Sequence, residues 1–240
     1  MVSRVRFIPV KAARVSDEIA AQIRFELSQG RLKLGDRLPA ERLLAEQFGV
    51  SRNTLREALR SLEVAGLLRF QKGAAGGAFI RQGSGEVIIN GLADMYRLGG
   101  ISPKDVTQAR IWLESIIVRS ACERVTPADI AALSLNIDAA ERAQRDGDFT
   151  ARAAIHLEFH RILARMTGNP IMVIVMQGVL DVLAMFIRSI GPYENEFVIP
   201  SRRRFLKHVV AGDAGAAVRE MERCLLRLQR NYLSRLNSQA

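Results

Sequence analysis

Residues 48–67 read Phe48-Gly49-Val50-Ser51-Arg52-Asn53-Thr54-Leu55-Arg56-Glu57-Ala58-Leu59-Arg60-Ser61-Leu62-Glu63-Val64-Ala65-Gly66-Leu67. Gly49 and Val50 turn the chain, and the Ser51 hydroxyl is placed to accept a hydrogen bond from the first turn of a helix. Leu55, Ala58, Leu59 and Leu62 then recur at the three- and four-residue spacing that lines one helical face. The helix is predicted to run to about residue 65, where Gly66 can end it. At about 100° per residue, Asn53, Arg56 and Arg60 project away from the leucine stripe, with Arg52 on the flank at the helix start. An apolar back seats such a helix on a core, while its basic N-terminal end is free to enter a major groove.

Upstream, Ile19, Ile23 and Leu27 stand four residues apart and predict a helix over 15–27, stopped by Ser28-Gln29-Gly30. A short helix over 40–48 follows Leu38-Pro39, and Arg42 at its front is placed for either a phosphate or a base. Downstream, strands over 67–70 and 78–80 flank Gln71-Lys72-Gly73-Ala74-Ala75-Gly76-Gly77. This glycine-rich loop with one lysine reads as a wing beside a minor groove, or as no more than a bulged hairpin. No Walker signature or dinucleotide fingerprint accompanies its glycines. Two helices, a recognition helix and a small β-wing together make a winged helix-turn-helix.

The charge distribution agrees with that reading. Over 1–80, fourteen Lys or Arg face eight Asp or Glu, and over 81–240 twenty-one face seventeen. One third of the chain therefore holds more than half of the formal charge of +10, which favours a polyanionic partner there. Hydrophobic residues make up 48%, an ordinary share for a folded chain. Two cysteines, Cys122 and Cys224, are too few for a disulfide framework, and with no apolar leader they suit a reducing cytoplasm. The most apolar stretch, 171–190, carries Gln177, Asp181 and Arg188 and reads as a buried helix in place of a membrane span.

The ordered run Gly30-Arg31-Leu32-Lys33-Leu34-Gly35-Asp36-Arg37-Leu38-Pro39-Ala40-Glu41-Arg42, continued through Phe48 to Leu59 and Leu62 to Leu67, resembles the GntR family of bacterial repressors and activators. The likeness covers residues 15–80. It implies a homodimer that places two recognition helices on double-stranded DNA at a pseudo-palindromic operator. It also puts Arg42, Arg52, Asn53, Thr54, Arg56 and Gly73 at the family's DNA-contact positions, with Lys72 beside them in the wing. Paired modules at fixed separation would match half-site spacing.

After Ile80 the periodicity becomes helical almost without interruption. Residues 1–80 are expected to be the DNA-binding domain, 81–85 (Arg81-Gln82-Gly83-Ser84-Gly85) a linker, and 86–240 an antiparallel all-helical bundle. Ser102-Pro103-Lys104-Asp105 and Thr126-Pro127-Ala128-Asp129 each offer a hydroxyl cap, a proline in the first turn and an acid at the third position. Helices are predicted over 87–98, from 103, from 127, and over 149–166, 170–189, 194–211 and 214–235. No fixed repeat favours a solenoid.

Within the bundle, Arg110 and Glu114 lie four apart, as do His156 and His160, so each pair can face one way. Such groups suit an organic anion, and paired histidines suit a divalent metal. A helix-surface ion pair and a core histidine bonded to a carbonyl are the plain alternatives. Arg110-Ile111-Trp112-Leu113-Glu114, Phe159-His160-Arg161-Ile162-Leu163-Ala164, Gly168-Asn169 and then Asp213, Ala217 and Met221 resemble the FCD ligand-sensing domain. That resemblance implies effector binding and dimerisation over 86–236, in a pocket that in related proteins commonly holds a divalent metal and a carboxylate metabolite.

The metal pattern is altered here. His156 stands at the family's Asp position, His160 is retained, and the two later His positions fall on Arg202 and Cys224. His156, His160 and Cys224 remain a possible zinc or nickel set, whereas Arg202 beside them opposes a cation and suits a carboxylate or phosphate. The expected effector site is thus Arg110, Glu114, His156, His160, Arg202 and Cys224, with no cofactor required and a metal-dependent version as the alternative.

The combined expectation is a cytoplasmic, sequence-specific transcription regulator controlled by a small carboxylate-bearing metabolite. An architectural DNA-binding dimer without an effector is the rival from a second class. No Ser-His-Asp order, carboxylate pair or hydrolytic metal motif assembles an enzyme.

Overall fold

The computed structural model describes residues 12–73, 76–81, 83, 85–191 and 195–238, with side chains from residue 15 onward. Ala74 and Ala75 of the expected wing, Gln82 and Ser84 of the expected linker, and Glu194 lie outside the described residues. The chain divides into two compact units, 1–87 and 88–240.

In the first unit, α1 (Ala12–Ser28), α2 (Glu41–Phe48) and α3 (Arg52–Val64) precede an antiparallel hairpin of β1 (Leu68–Gln71) and β2 (Gly77–Ile80). Its core joins Ile19, Ala20 and Ile23 of α1 to Leu55, Ala58, Leu59 and Leu62 of α3, closed below by Leu68, Ala78 and Ile80. Ile19 and Ile23, four apart on α1, meet the leucine stripe of α3, and Leu27 one turn on packs against the same core. A bridge from Arg37 to Phe79 extends the hairpin, and the Leu38 amide donates to the Ala78 carbonyl at 2.9 Å. That third, strand-like segment has no periodic signal in the sequence because it contributes a single bridge.

The second unit is built from α4 (Glu86–Arg97), α5 (Pro103–Arg124), α6 (Pro127–Arg145), α7 (Phe149–Met166), α8 (Pro170–Ile190), α9 (Val198–Val210) and α10 (Ala214–Asn237). The all-helical reading holds: among the described residues no strand lies beyond β2. Ser102 and Thr126 close reciprocal capping boxes with Asp105 and Asp129, so each start satisfies two amides that the helix itself leaves unbonded. Asp148, Asn169 and Asp213 cap α7, α8 and α10. Helix α5 is central, packing against α7, α8 and α10, while α6 joins α7 and α9.

One helix start departs from expectation. Asn195 to Phe197 are not helical, and α9 begins at Val198 instead of residue 194. Pro200 then falls in the first turn, where its missing N–H costs no intrahelical bond; a start at 194 would have placed it in the helix interior. Helix α8 is long and apolar enough to cross a membrane by length and composition. Met176, Leu180, Leu183 and Phe186 of that helix are fully enclosed in the bundle core, and its Gln177 and Asp181 both bond Arg161 of α7. Gly178 lets α4 approach closely: a Cβ there would lie 2.7 Å from the Leu92 side chain.

Candidate functional site

The exposed basic end of α3 is assembled locally. Ser51 is in extended conformation and accepts from the Thr54 amide at 3.1 Å, while the two hydroxyls lie 2.9 Å apart. Leu55, Ala58, Leu59 and Leu62 are at most 1% exposed, which fixes the rotation of the helix and turns Arg52, Asn53, Arg56 and Arg60 to solvent. Thr54 is half-buried against its cap, so its hydroxyl serves the helix start.

Two of the expected contact arginines face acids. Arg42 Nη1 lies 2.8 Å from Glu46 one turn along α2, and Arg56 Nε lies 3.9 Å from Glu41. Exposed pairs of this kind are worth about 1 kcal/mol or less, so a phosphate can replace either acid at little cost. Lys72 and Gly73 are exposed in the wing, and Gly73 has a φ of 106°, a conformation that favours glycine. Arg37 and Arg69 flank the Phe79 ring at 5.9 and 5.6 Å, two wing cations that the pattern of α3 gives no reason to single out.

The second cluster is buried and long-range. Arg110 and Glu114 on α5, His160 on α7 and Arg202 on α9 are each no more than 5% exposed. Arg110 Nη2 lies 2.5 Å from His160 Nε2, and Arg202 Nη2 approaches the same nitrogen at 3.4 Å. Arg202 Nη1 lies 2.7 Å from His156 Nδ1, and its Nη2 donates to the His156 carbonyl at 2.8 Å. The guanidinium also sits over the Phe159 ring, 4.2 Å from its centre. Glu114 Oε1 is 2.5 Å from His160 Nδ1 and 3.8 Å from Arg110 Nε, the second beyond hydrogen-bond distance. Both Glu114 oxygens, Arg110 Nε and His160 Nδ1 are buried atoms to which no hydrogen bond is assigned among the described residues.

These surroundings set the protonation states. Burial raises the Glu114 carboxyl to about 7, against the pull of Arg110 and Arg202. Burial and then Arg202 hold His156 well below the ordinary imidazole range, and burial and then Arg110 do the same for His160. Burial lowers Arg202 to about 9, which leaves it cationic at neutral pH. Burial likewise pushes the Cys224 thiol up, against Ser201 and Arg202, so it is a protonated thiol.

A narrow cavity, partly open to solvent, reaches this cluster. Arg110, His156 and Arg202 line it, whereas Glu114, His160 and Cys224 stand outside its lining. The expected site is therefore split: three of its six residues face the space, and Glu114 and His160 brace them from behind. The cavity wall adds Phe149, Arg152, Asn195 and Tyr232, which the sequence reading did not single out. Arg152 precedes His156 by four residues on α7, and Tyr232 follows Cys224 and Leu228 at the same interval on α10; that spacing is the signal that could have found them.

The metal set expected as an alternative does not form. Among the described residues no three His, Cys, Asp or Glu side chains come together in a metal-holding arrangement.

Comparison with known proteins fits both units. Residues 15–80 match the family model described as bacterial regulatory proteins, gntR family, and residues 105–227 match that of the FCD domain. A protein of Escherichia coli K12 named as an L-lactate dehydrogenase operon regulatory protein is 31% identical over 220 residues, spanning 87% of this chain and 82% of its own. The HTH-type transcriptional repressor NanR of Salmonella schwarzengrund is 29% identical over 211 residues, covering 86% and 77% of the two chains. Among solved structures, Streptococcus agalactiae GntR superposes with a TM-score of 0.67 at 23% identity, covering 90% of this chain and 99% of that one, which is a likeness of fold.

Proposed function

We propose, since this chain belongs to the gntR family of bacterial regulatory proteins and carries an FCD domain, that it is a cytoplasmic, sequence-specific regulator whose DNA affinity is set by a small carboxylate-bearing metabolite. The relatives are named as an operon regulatory protein and an HTH-type transcriptional repressor. Residues 1–80 bind DNA, 81–85 act as the linker, and 86–240 hold the effector and the dimer contacts. In a homodimer, two copies of α3 address the half-sites of a pseudo-palindromic operator.

The observation that carries the DNA-binding reading is the division of α3 into a buried leucine face and an exposed face of Arg52, Asn53, Arg56 and Arg60. Arg52, Asn53 and Arg56 read base edges or phosphates from its N-terminal end, Arg42 and Thr54 support them from the helix starts, and Lys72 and Gly73 bring the wing to the adjacent groove. In the bundle, Arg110 and Arg202 receive the effector's acidic group, His156 borders it, and Glu114 and His160 hold the arginines in place. Occupation of the cavity biases the bundle between two arrangements, and DNA affinity changes by the difference in effector affinity between them.

Selection of bound fragments from random genomic DNA tests this reading. The expected result is one shared motif with two inverted halves at constant spacing. Fragments without a common motif would instead indicate an architectural DNA-binding protein and refute sequence-specific regulation.

A further inference from the structure

We infer that the guanidinium of Arg202 is the resident cation of the bundle site, standing where related domains carry a divalent metal, so that the pocket excludes metal and receives an anion directly on arginine. The inference uses the anion-pocket reading above for its ligand class only.

The donor atoms carry the argument. A metal at this place would need lone pairs from His156 and His160. His156 Nδ1 already accepts from Arg202 Nη1 at 2.7 Å, which puts the proton of the neutral ring on Nε2. His160 Nε2 accepts from Arg110 Nη2 at 2.5 Å, with Arg202 Nη2 at 3.4 Å as a second neighbour, and its Nδ1 faces the Glu114 carboxyl. Each histidine thus directs a lone pair at a guanidinium and its proton the other way. Neither ring can ligate a metal without losing an arginine bond.

Arg202 itself is held against displacement. It bonds the His156 ring and carbonyl, stacks on Phe159 and is 5% exposed. A dication lodged between the two histidines would meet this fixed positive charge at contact distance in a region of low dielectric. The remaining candidate ligand, Cys224, is a buried thiol on α10 that does not converge with the two imidazoles. A carboxylate approaching from the cavity meets the opposite situation: Arg202 and Arg110 both line the space and present donors of the geometry that acidic groups accept.

The experiment uses the full-length protein, stripped with chelator and then exposed to zinc or nickel alone. The wild type is expected to retain well under 0.2 metal ions per chain after gel filtration, with no change in melting temperature on adding metal. The doubly substituted chain, Arg202→His with Cys224→His, is expected to take up about one ion per chain and to melt higher when loaded. Metal close to one per wild-type chain would overturn the inference, whether or not the variant folds. A double variant that folds, by its circular dichroism and melting, yet takes no metal would overturn it as well, because Arg202 and Cys224 would not then be what excludes the ion. Neither readout involves an effector or DNA, so the inference and the sensing reading fail separately.

Discussion

The arginines of α3 and those of the bundle are the same residue used under opposite conditions. Arg52, Arg56 and Arg60 stand in water, and the contact Arg56 makes with Glu41 is loose at 3.9 Å. Arg110 and Arg202 are no more than 5% exposed, bonded to imidazoles and, for Arg202, stacked on an aromatic ring. An exposed guanidinium loses little by exchanging water or a weak ion pair for a phosphate, so it suits a surface that must bind and release a polyanion. A buried one has already lost its hydration and is held in one geometry, so it discriminates by shape and charge among small ligands. Exposure separates the two tasks where residue type does not.

That contrast can be broken at several points. The largest effect is expected from Arg202→Ala, which removes the donor to the His156 ring and the group stacked on Phe159, and should cost about 2–4 kcal/mol of stability in denaturant melts. A loss under about 1 kcal/mol would mean that Arg202 is not buried and bonded in solution as described. Next, Arg56→Ala should weaken operator binding by about 1–3 kcal/mol while leaving the melting curve unchanged within error. Ser51→Ala removes the hydroxyl that accepts from the Thr54 amide and should lower stability by about 1 kcal/mol, measurable by the same melts.

The smallest effect sharpens the protonation picture. The Glu114 carboxyl titrates at about 7 in the fold against an ordinary 4.5, so the folded state holds a proton that the unfolded chain has released. Its stabilising contribution is present at low pH and is lost as pH rises through about 7. Between pH 6.5 and 7.5 this amounts to a fall of about 0.7 kcal/mol, abolished in Glu114→Gln. His156 and His160, whose folded values lie well below 6.5, act with opposite sign up to the unfolded imidazole range and so offset the Glu114 fall in the wild-type curve. The reading is the difference between wild type and Glu114→Gln over this pH range, and identical slopes in the two would contradict the burial of Glu114.

The winged unit was largely legible in the sequence because its determinants are local. One leucine stripe fixes α3, Ser51 fixes its start, and the contact residues lie on the same helix as the stripe that orients them. The bundle helices were legible for the same reason, from capping boxes and helical spacing. Its site was legible only in part. Arg110 and Glu114, and His156 and His160, are found by spacing, but their meeting with Arg202 across 46 residues is a product of packing. Spacing likewise assigns a face without depth: His160 and Glu114 point inward yet stop behind the cavity wall, while Arg152 and Tyr232 reach it. The start of α9 was misplaced because no side-chain cap marks it, and Pro200 is its only punctuation.

The contrast between exposed and buried arginines is tested most directly by titrating the selected operator with ligand-free wild type, Arg56→Ala and Arg202→Gln over a series of salt concentrations. The expected result is an affinity about tenfold lower for Arg56→Ala with a shallower salt dependence, and an unchanged curve for Arg202→Gln. Equal affinity of Arg56→Ala and wild type at every salt concentration, or a salt-dependent loss in Arg202→Gln alone, would contradict the assignment of DNA reading to α3.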